Sequence, residues 1–423
     1  MVKLKHFTLN NGIRVLVIPN PQSPSVTAAV LVQAGTAYES KSTNGLSHFL
    51  EHMYFKGTKK RPRPIDISTE FEALGAVYNA FTSRDLTGYY AKVAWPNTEK
   101  IMDLISDMYL NPLFLTEEIE KEKGVIIEEI NMYEDQPQVK VSQVIEAAMY
   151  GNQPAGWSVS GTKENIRRMS RRDFIDYRSK HYIGPKTIII LAGNISLKKA
   201  RSLTGKYFNS VKKGKIIKSK QTTDFQKNKK LVSLYKELDQ SHLVLAFKAF
   251  PVTSEKRFAL GVLADVLGGG MTSRLFQKVR QELGAAYYIG ASTNLYATHG
   301  YLDISAGVNH SKVYQVIEAI MGQLRDISNN GITAKELAHV KEHRIGTFML
   351  SLETSSDLAF YYGEQEAENS KILTPSQAIS KLKSVTKGQV ARLAKQILQN
   401  NRLNFAIVGP YKSTDKFKKI LYL

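Results

Sequence analysis

A pattern that occurs twice narrows the folds open to this chain more than anything else in it. Leu74-Gly75-Ala76-Val77-Tyr78 returns as Leu283-Gly284-Ala285-Ala286-Tyr287, and Gly88-Tyr89-Tyr90-Ala91-Lys92-Val93 returns as Gly300-Tyr301-Leu302-Asp303-Ile304-Ser305. Each copy is followed by a helical pattern, from Thr98 and from Ser311, and then by another, opening at Thr116 and at Thr333. Offsets of about 209 to 217 residues indicate one duplicated α/β domain, not a solenoid of three or more short repeats. A chain of 423 residues suits two domains of about 200 each. The division is expected as residues 1–210, a lysine-rich linker at 211–230 that is poor in apolar residues, and residues 231–423.

Within the first copy, 6–19 reads as two strands around Asn10-Asn11-Gly12, and Ser25 to Gln33 as a β-branched strand. Ile65 to Leu74 predicts a helix stopped by Gly75, and Ala76 to Val93 a hairpin. Helices are expected over Thr98–Leu110, over Thr116–Tyr133 with Thr116 as N-cap and Glu117 and Glu118 in its first turn, and over Val139–Tyr150. Thr187 to Ala192 is a buried strand.

The chemistry concentrates in Gly45-Leu46-Ser47-His48-Phe49-Leu50-Glu51-His52-Met53. On a helix, His48 and His52 lie one turn apart on a single face, where two imidazoles can converge on one tetrahedral zinc. Glu51 flanks the same face and is placed to take a proton from an attacking water without ligating the metal. This is the inverted H-x-x-E-H order. The neighbours Leu46, Phe49, Leu50, Met53 and Phe55 are apolar, so the histidines belong to a helix that is mostly buried, where unpaired imidazoles are costly. Thr272 to Val279, the equivalent stretch of the second copy, has no histidine pair.

The chain has no cysteine, which excludes disulfides and thiolate ligands and leaves histidine and carboxylate to hold any zinc. A third protein ligand is needed. The helix opening at Thr116 offers Glu117, Glu118, Glu120, Glu122, Glu128 and Glu129, and spacing does not choose among them.

The formal net charge of +20 permits contact with polyanions, but the basic residues are scattered and no nucleic-acid-binding signature is present, so such a partner is not expected. The first residues turn polar too soon for a signal peptide, and no apolar run approaches the roughly 18–20 residues of a membrane span. The expectation is a cytoplasmic protein without a membrane partner.

The histidine stretch, continued by Phe55-Lys56-Gly57-Thr58, resembles the signature of the pitrilysin/insulinase metallopeptidases, and most of all their mitochondrial-processing-peptidase-like branch. Asn79-Ala80-Phe81-Thr82-Ser83, Leu267 to Phe276, and Arg280 through Gly284 to Tyr287 match as well. The resemblance implies an α+β protein of two duplicated domains, each a mostly antiparallel sheet packed with helices. It implies one Zn2+ per subunit on His48, His52 and Glu129, with Glu51 as general base and Glu122 as a supporting carboxylate. It also implies an edge strand at Asn79, Ala80 and Phe81 that receives an extended substrate, and Arg280 and Tyr287 as substrate- and oxyanion-binding residues.

Hydrolysis of peptides or unfolded polypeptides inside a dimer chamber is then the expected activity, in a homodimer or, less simply, a heterodimer. The alternative is a non-catalytic peptide-binding or regulatory subunit, whose usual mark is a damaged motif; here the motif is intact. A second literal H-x-x-E-H, His339 to His343, lies in polar surroundings on the helix opening at Thr333 and is read as a solvated face.

Overall fold

Val26, Ala28, Val30 and Val32 alternate with Thr27, Ala29 and Leu31, and neither set is charged or bulky-polar, so the strand they form has to be covered on both faces. In the computed structural model, which describes residues 3–368 and 371–423, that strand lies in the interior of a mixed sheet with helices on either side.

In chain order the elements are β1 (Lys5–Thr8), β2 (Arg14–Pro19), β3 (Ser25–Val32), α1 (Leu46–Met53), α2 (Pro64–Ala73), β4 (Val77–Thr82), β5 (Thr87–Ala94), α3 (Thr98–Leu110), α4 (Thr116–Asp135) and α5 (Pro137–Tyr150). There follow α6 (Lys163–Arg168), α7 (Arg171–His181), β6 (Thr187–Gly193), α8 (Leu197–Phe208), β7 (Lys230–Tyr235), β8 (Ser241–Lys248) and α9 (Arg257–Gly268). The chain ends with β9 (Ala286–Leu295), β10 (Gly300–Val308), α10 (Val313–Asn330), α11 (Ala334–Leu350), α12 (Ser355–Ala367), α13 (Pro375–Lys383), α14 (Lys387–Ile397) and β11 (Leu403–Gly409). Thr116 is already helical instead of capping α4 from outside. The stretch echoing α1 is not a plain α-helix: Phe276–Glu282 is a π-helix.

Two units form. The first holds residues 1–131, 158–220 and 350–372, and its sheet runs β1-β2-β6-β3-β5-β4. The second holds 132–157, 221–349 and 373–423, with the order β7-β11-β8-β10-β9. The pairs β2–β6 and β7–β11 are parallel and the remaining neighbours antiparallel, so the second sheet repeats the first apart from β1. The duplicated motifs occupy equivalent places, the outermost hairpins β4–β5 and β9–β10.

Each unit differs from the contiguous division at 211–230 by one borrowed segment. In the first, the face of the sheet carrying Leu16, Ile18, Ala29, Leu31, Ile188 and Ile190 is covered by Ala359 and Tyr362 of α12, a helix that follows the second unit's hairpin in sequence. Its start is tied down where Thr27 Oγ1 meets Ser355 Oγ at 2.8 Å, and its end where Arg14 meets Glu366 at 2.8 Å. In the second, Val141, Ile145 and Met149 of α5 cover Val244, Ala246, Ala406 and Val408. Sequence proximity put α5 with the first copy and α12 with the second; the apolar face that each sheet leaves uncovered by its own helices decides otherwise. The opposite face of the first sheet, carrying Val26, Val30, Ile189 and Leu191, is packed with α1, α3, α7 and α8 through Phe49, Ile101, Phe174 and Leu203. Among the described residues no helix is long and apolar enough to cross a membrane.

Candidate metal centre

The short helix α1 is held by its apolar side: Leu46, Phe49, Leu50 and Met53 are buried, and the Phe49 ring meets that of Phe174 edge-on at 4.8 Å. Its other face turns toward α4, whose Ile119, Ile126 and Ile130 are buried at a spacing that fixes the helix rotation. With both rotations set, three donors converge. His48 Nε2 and His52 Nε2 are 3.3 Å apart, and Glu129 Oε2 lies 3.5 Å from the first and 3.6 Å from the second.

Four ligands about 2.0–2.1 Å from a tetrahedral zinc stand about 3.3–3.4 Å from one another. The triangle's edges of 3.3, 3.5 and 3.6 Å equal or slightly exceed that separation, so the residues fit a zinc with three protein ligands and one open corner. Among the described residues it is the one group of three His or carboxylate donors so close together.

Glu122, 4% exposed, accepts from His52 Nδ1 at 2.9 Å. That bond puts the ring proton on Nδ1 and leaves the Nε2 lone pair pointing at the triangle. Lys56 Nζ lies 2.6 Å from the other Glu122 oxygen. Burial works against the Glu122 charge, but the His52 and Lys56 contacts outweigh it and hold the carboxyl below its usual range. For His48, burial opposes protonation, yet the Glu129 bond and charge raise its pKa. His48 Nδ1 is buried without a hydrogen-bond partner among the described residues.

Glu51 points across α1 to the edge of the sheet, where Thr82 Oγ1 donates to its Oε2 at 2.5 Å. Burial pushes its pKa up, with the Thr82 bond and the two imidazoles pulling part of the way back. Thr82 ends β4, the outermost strand of the first sheet, so among the described residues that strand has one side without a sheet neighbour. Asn79 is exposed on it, with its own Oδ1 bonded to Ala80 N, and Ala80 and Phe81 are half-buried. Phe81 stacks edge-on against Phe360 of α12, their ring centres 5.7 Å apart.

The remaining expected residues lie in the second unit. Arg280 sits on the π-helix, over the Phe276 ring, and Tyr287 is 60% exposed at the start of β9. His339 and His343 are on α11 and, among the described residues, take part in no metal-like cluster; His339 Nε2 instead meets Thr272 Oγ1 at 2.9 Å. Two neighbours of the site, Lys56 and Thr82, lie in the matching stretches, but the sequence assigns them no role. Lys56 stands one turn beyond His52, a spacing that was available; Thr82 has no sequence relation to Glu51 and needs the fold.

Family models match in two pieces, the insulinase peptidase family M16 over residues 14–163 and the M16 inactive domain over 168–343. The chain is 36% identical over 408 residues to an uncharacterized zinc protease of Bacillus subtilis, YmxG, covering 96% of this chain and 98% of that one. This chain belongs to the M16 peptidase family. A Mycobacterium leprae protein also named a zinc protease is 31% identical, over 96% of this chain and 92% of its own. The fold is also found in solved structures: a protease from Helicobacter pylori has a TM-score of 0.92 at 22% identity, over 97% of this chain and 100% of that one. An M16 inactive-domain protein from Pseudomonas fluorescens has a TM-score of 0.90 at 18% identity, over 97% and 99%.

Proposed function

We propose that this M16 chain is a zinc-dependent endopeptidase that hydrolyses peptides or unfolded polypeptides. The observation that carries the reading is the donor triangle of 3.3, 3.5 and 3.6 Å, with Glu51 beside it and tied to the edge strand through Thr82. His48, His52 and Glu129 would hold one zinc per subunit, and Glu122 would orient His52. When bound, the metal supplies Lewis acidity, polarising the scissile carbonyl and making water easier to deprotonate. Glu51 takes the proton from the attacking water and returns it to the leaving amine.

The free side of β4 accepts an extended peptide by main-chain hydrogen bonds, with Asn79, Ala80 and Phe81 alongside it, so that selectivity by sequence is loose. Zinc-loaded protein is expected to cleave quenched fluorescent peptides of mixed sequence, to stop on addition of 1,10-phenanthroline, and to recover with added Zn2+. Cleavage that persists under full chelation would overturn the reading, as would inertness of the zinc-loaded protein toward every peptide of the mixture.

Arg280 and Tyr287 stabilise the oxyanion in this proposal, in trans, within a homodimer chamber that admits only unfolded chains. Mixing Arg280→Ala with Glu51→Gln, each inactive alone, is expected to restore about a quarter of wild-type activity, because half of the reassociated dimers are mixed and each carries one intact site. No recovery after verified subunit exchange would rule out the trans arrangement.

A further inference from the structure

The metal helix has an unusual beginning. It is eight residues long, too short to be stable alone, and His48 is its third residue. A metal ligand therefore stands in the first turn, where backbone N–H groups lack intrahelical partners and fraying starts. Helices ordinarily cap that turn with a Ser, Thr, Asp or Asn just outside it. Here the position is Gly45, at φ +99°, and a Cβ there would stand 2.8 Å from Ser160 O and 2.9 Å from the Gly161 Cα. No capping side chain fits.

The acceptor comes instead from Glu39, six residues earlier and 2% exposed. Its Oε2 accepts from Gly45 N and from Asn44 Nδ2, both at 3.0 Å, and its Oε1 accepts from Ser47 N at 2.7 Å. These donors are themselves held: Asn44 Nδ2 also donates to Ser158 O at 2.9 Å, and Ser47 Oγ meets the Tyr177 hydroxyl at 2.6 Å. Three N–H donors facing two carboxyl oxygens are the pattern an anion satisfies, and an anion at a helix N-terminus is further favoured by the helix dipole. Burial pushes this carboxyl upward, against the pull of the Ser47, Asn44 and Gly45 donors.

We propose that Glu39 is a positioning residue for the metal site: as the remote cap of α1 it fixes the first turn and so the place of the His48 imidazole. It touches neither metal nor substrate. The inference rests on His48, His52 and Glu129 forming a metal site.

The test is metal affinity, read by competition with a chromophoric chelator for Zn2+ and by the visible spectrum of the Co2+ form. In Glu39→Gln an amide N–H must face one of the backbone donors. The variant is expected to stay folded and to bind Zn2+ about 10- to 100-fold more weakly. Asn11→Ala serves as the control for general destabilisation. Asn11 is buried in the same unit and bonds the carbonyls of Phe208 and Val211, and its variant is expected to keep wild-type affinity.

Glu39→Gln binding within twofold of wild type overturns the proposal, as does an equal loss in Asn11→Ala. Should Glu39→Gln not fold, Glu39→Asp, one methylene too short to reach both Gly45 N and Ser47 N, carries the same comparison. If wild type and His48→Ala bind Zn2+ alike, it is the metal site itself that fails, a result distinct from a wild-type site indifferent to residue 39.

Discussion

Replacing Glu51 by Gln is expected to lower peptide turnover by about 10²- to 10⁴-fold while leaving zinc content unchanged. The amide has the shape of the carboxylate, and its oxygen can still accept from Thr82 Oγ1, so α1 keeps its place against β4. What is lost is a basic oxygen able to take the proton of the attacking water. Because Glu51 is absent from the donor triangle, metal binding does not depend on it. Turnover with a quenched peptide and zinc stoichiometry by elemental analysis, on one preparation, separate the roles. Retention of more than a tenth of wild-type kcat would dismiss Glu51 as the base. Parallel loss of zinc and activity would make it a ligand instead.

A chain ending in the linker, residues 1–220, is expected not to fold by itself, although it contains every proposed zinc ligand. It lacks α12, and with it the cover over Leu16, Ile18, Ala29, Leu31, Ile188 and Ile190, all at 0–1% exposure in the intact protein. Burying one such large aliphatic side chain contributes about 1.5–3 kcal/mol. Even with a compact unfolded chain reducing the sum, five of them approach the roughly 5–15 kcal/mol that separates a folded domain from its unfolded ensemble. The Thr27–Ser355 and Arg14–Glu366 contacts and the bond from Gln33 Nε2 to the Ala367 carbonyl disappear as well. The fragment would also carry α5 with its Val141, Ile145 and Met149 face uncovered.

The expected result is an aggregating or dye-binding fragment that becomes soluble when residues 221–423 are co-expressed. A soluble 1–220 with a sharp thermal transition and native near-ultraviolet dichroism would show that α12 is dispensable.

Much of the first unit is local enough to read from its residues. The strand over Ser25–Val32 shows as a continuous β-branched and apolar run, and the helix ending before Gly75 and the His48/His52 pair express a period of 3.6 residues, signals that each stretch carries within itself. The duplication follows from the same local signals met twice. The glutamate helix shows the limit. Its period leaves six carboxylates open, the family resemblance points to Glu129, and only the packing of Ile119, Ile126 and Ile130 turns that residue toward the histidines and Glu122 toward His52.

The sequence by itself therefore determined the helix that carries the histidine pair, the inverted motif and the two-fold repetition of the domain, because these rest on spacing along the chain. The tertiary structure alone decided which helix covers which sheet, that Thr82 meets Glu51, and that Glu39 caps the helix whose own start has no room for a side chain. Those contacts join segments whose separation along the chain carries no periodic signal, and they are selected by which apolar faces and unpaired N–H groups remain to be covered once the local elements have formed.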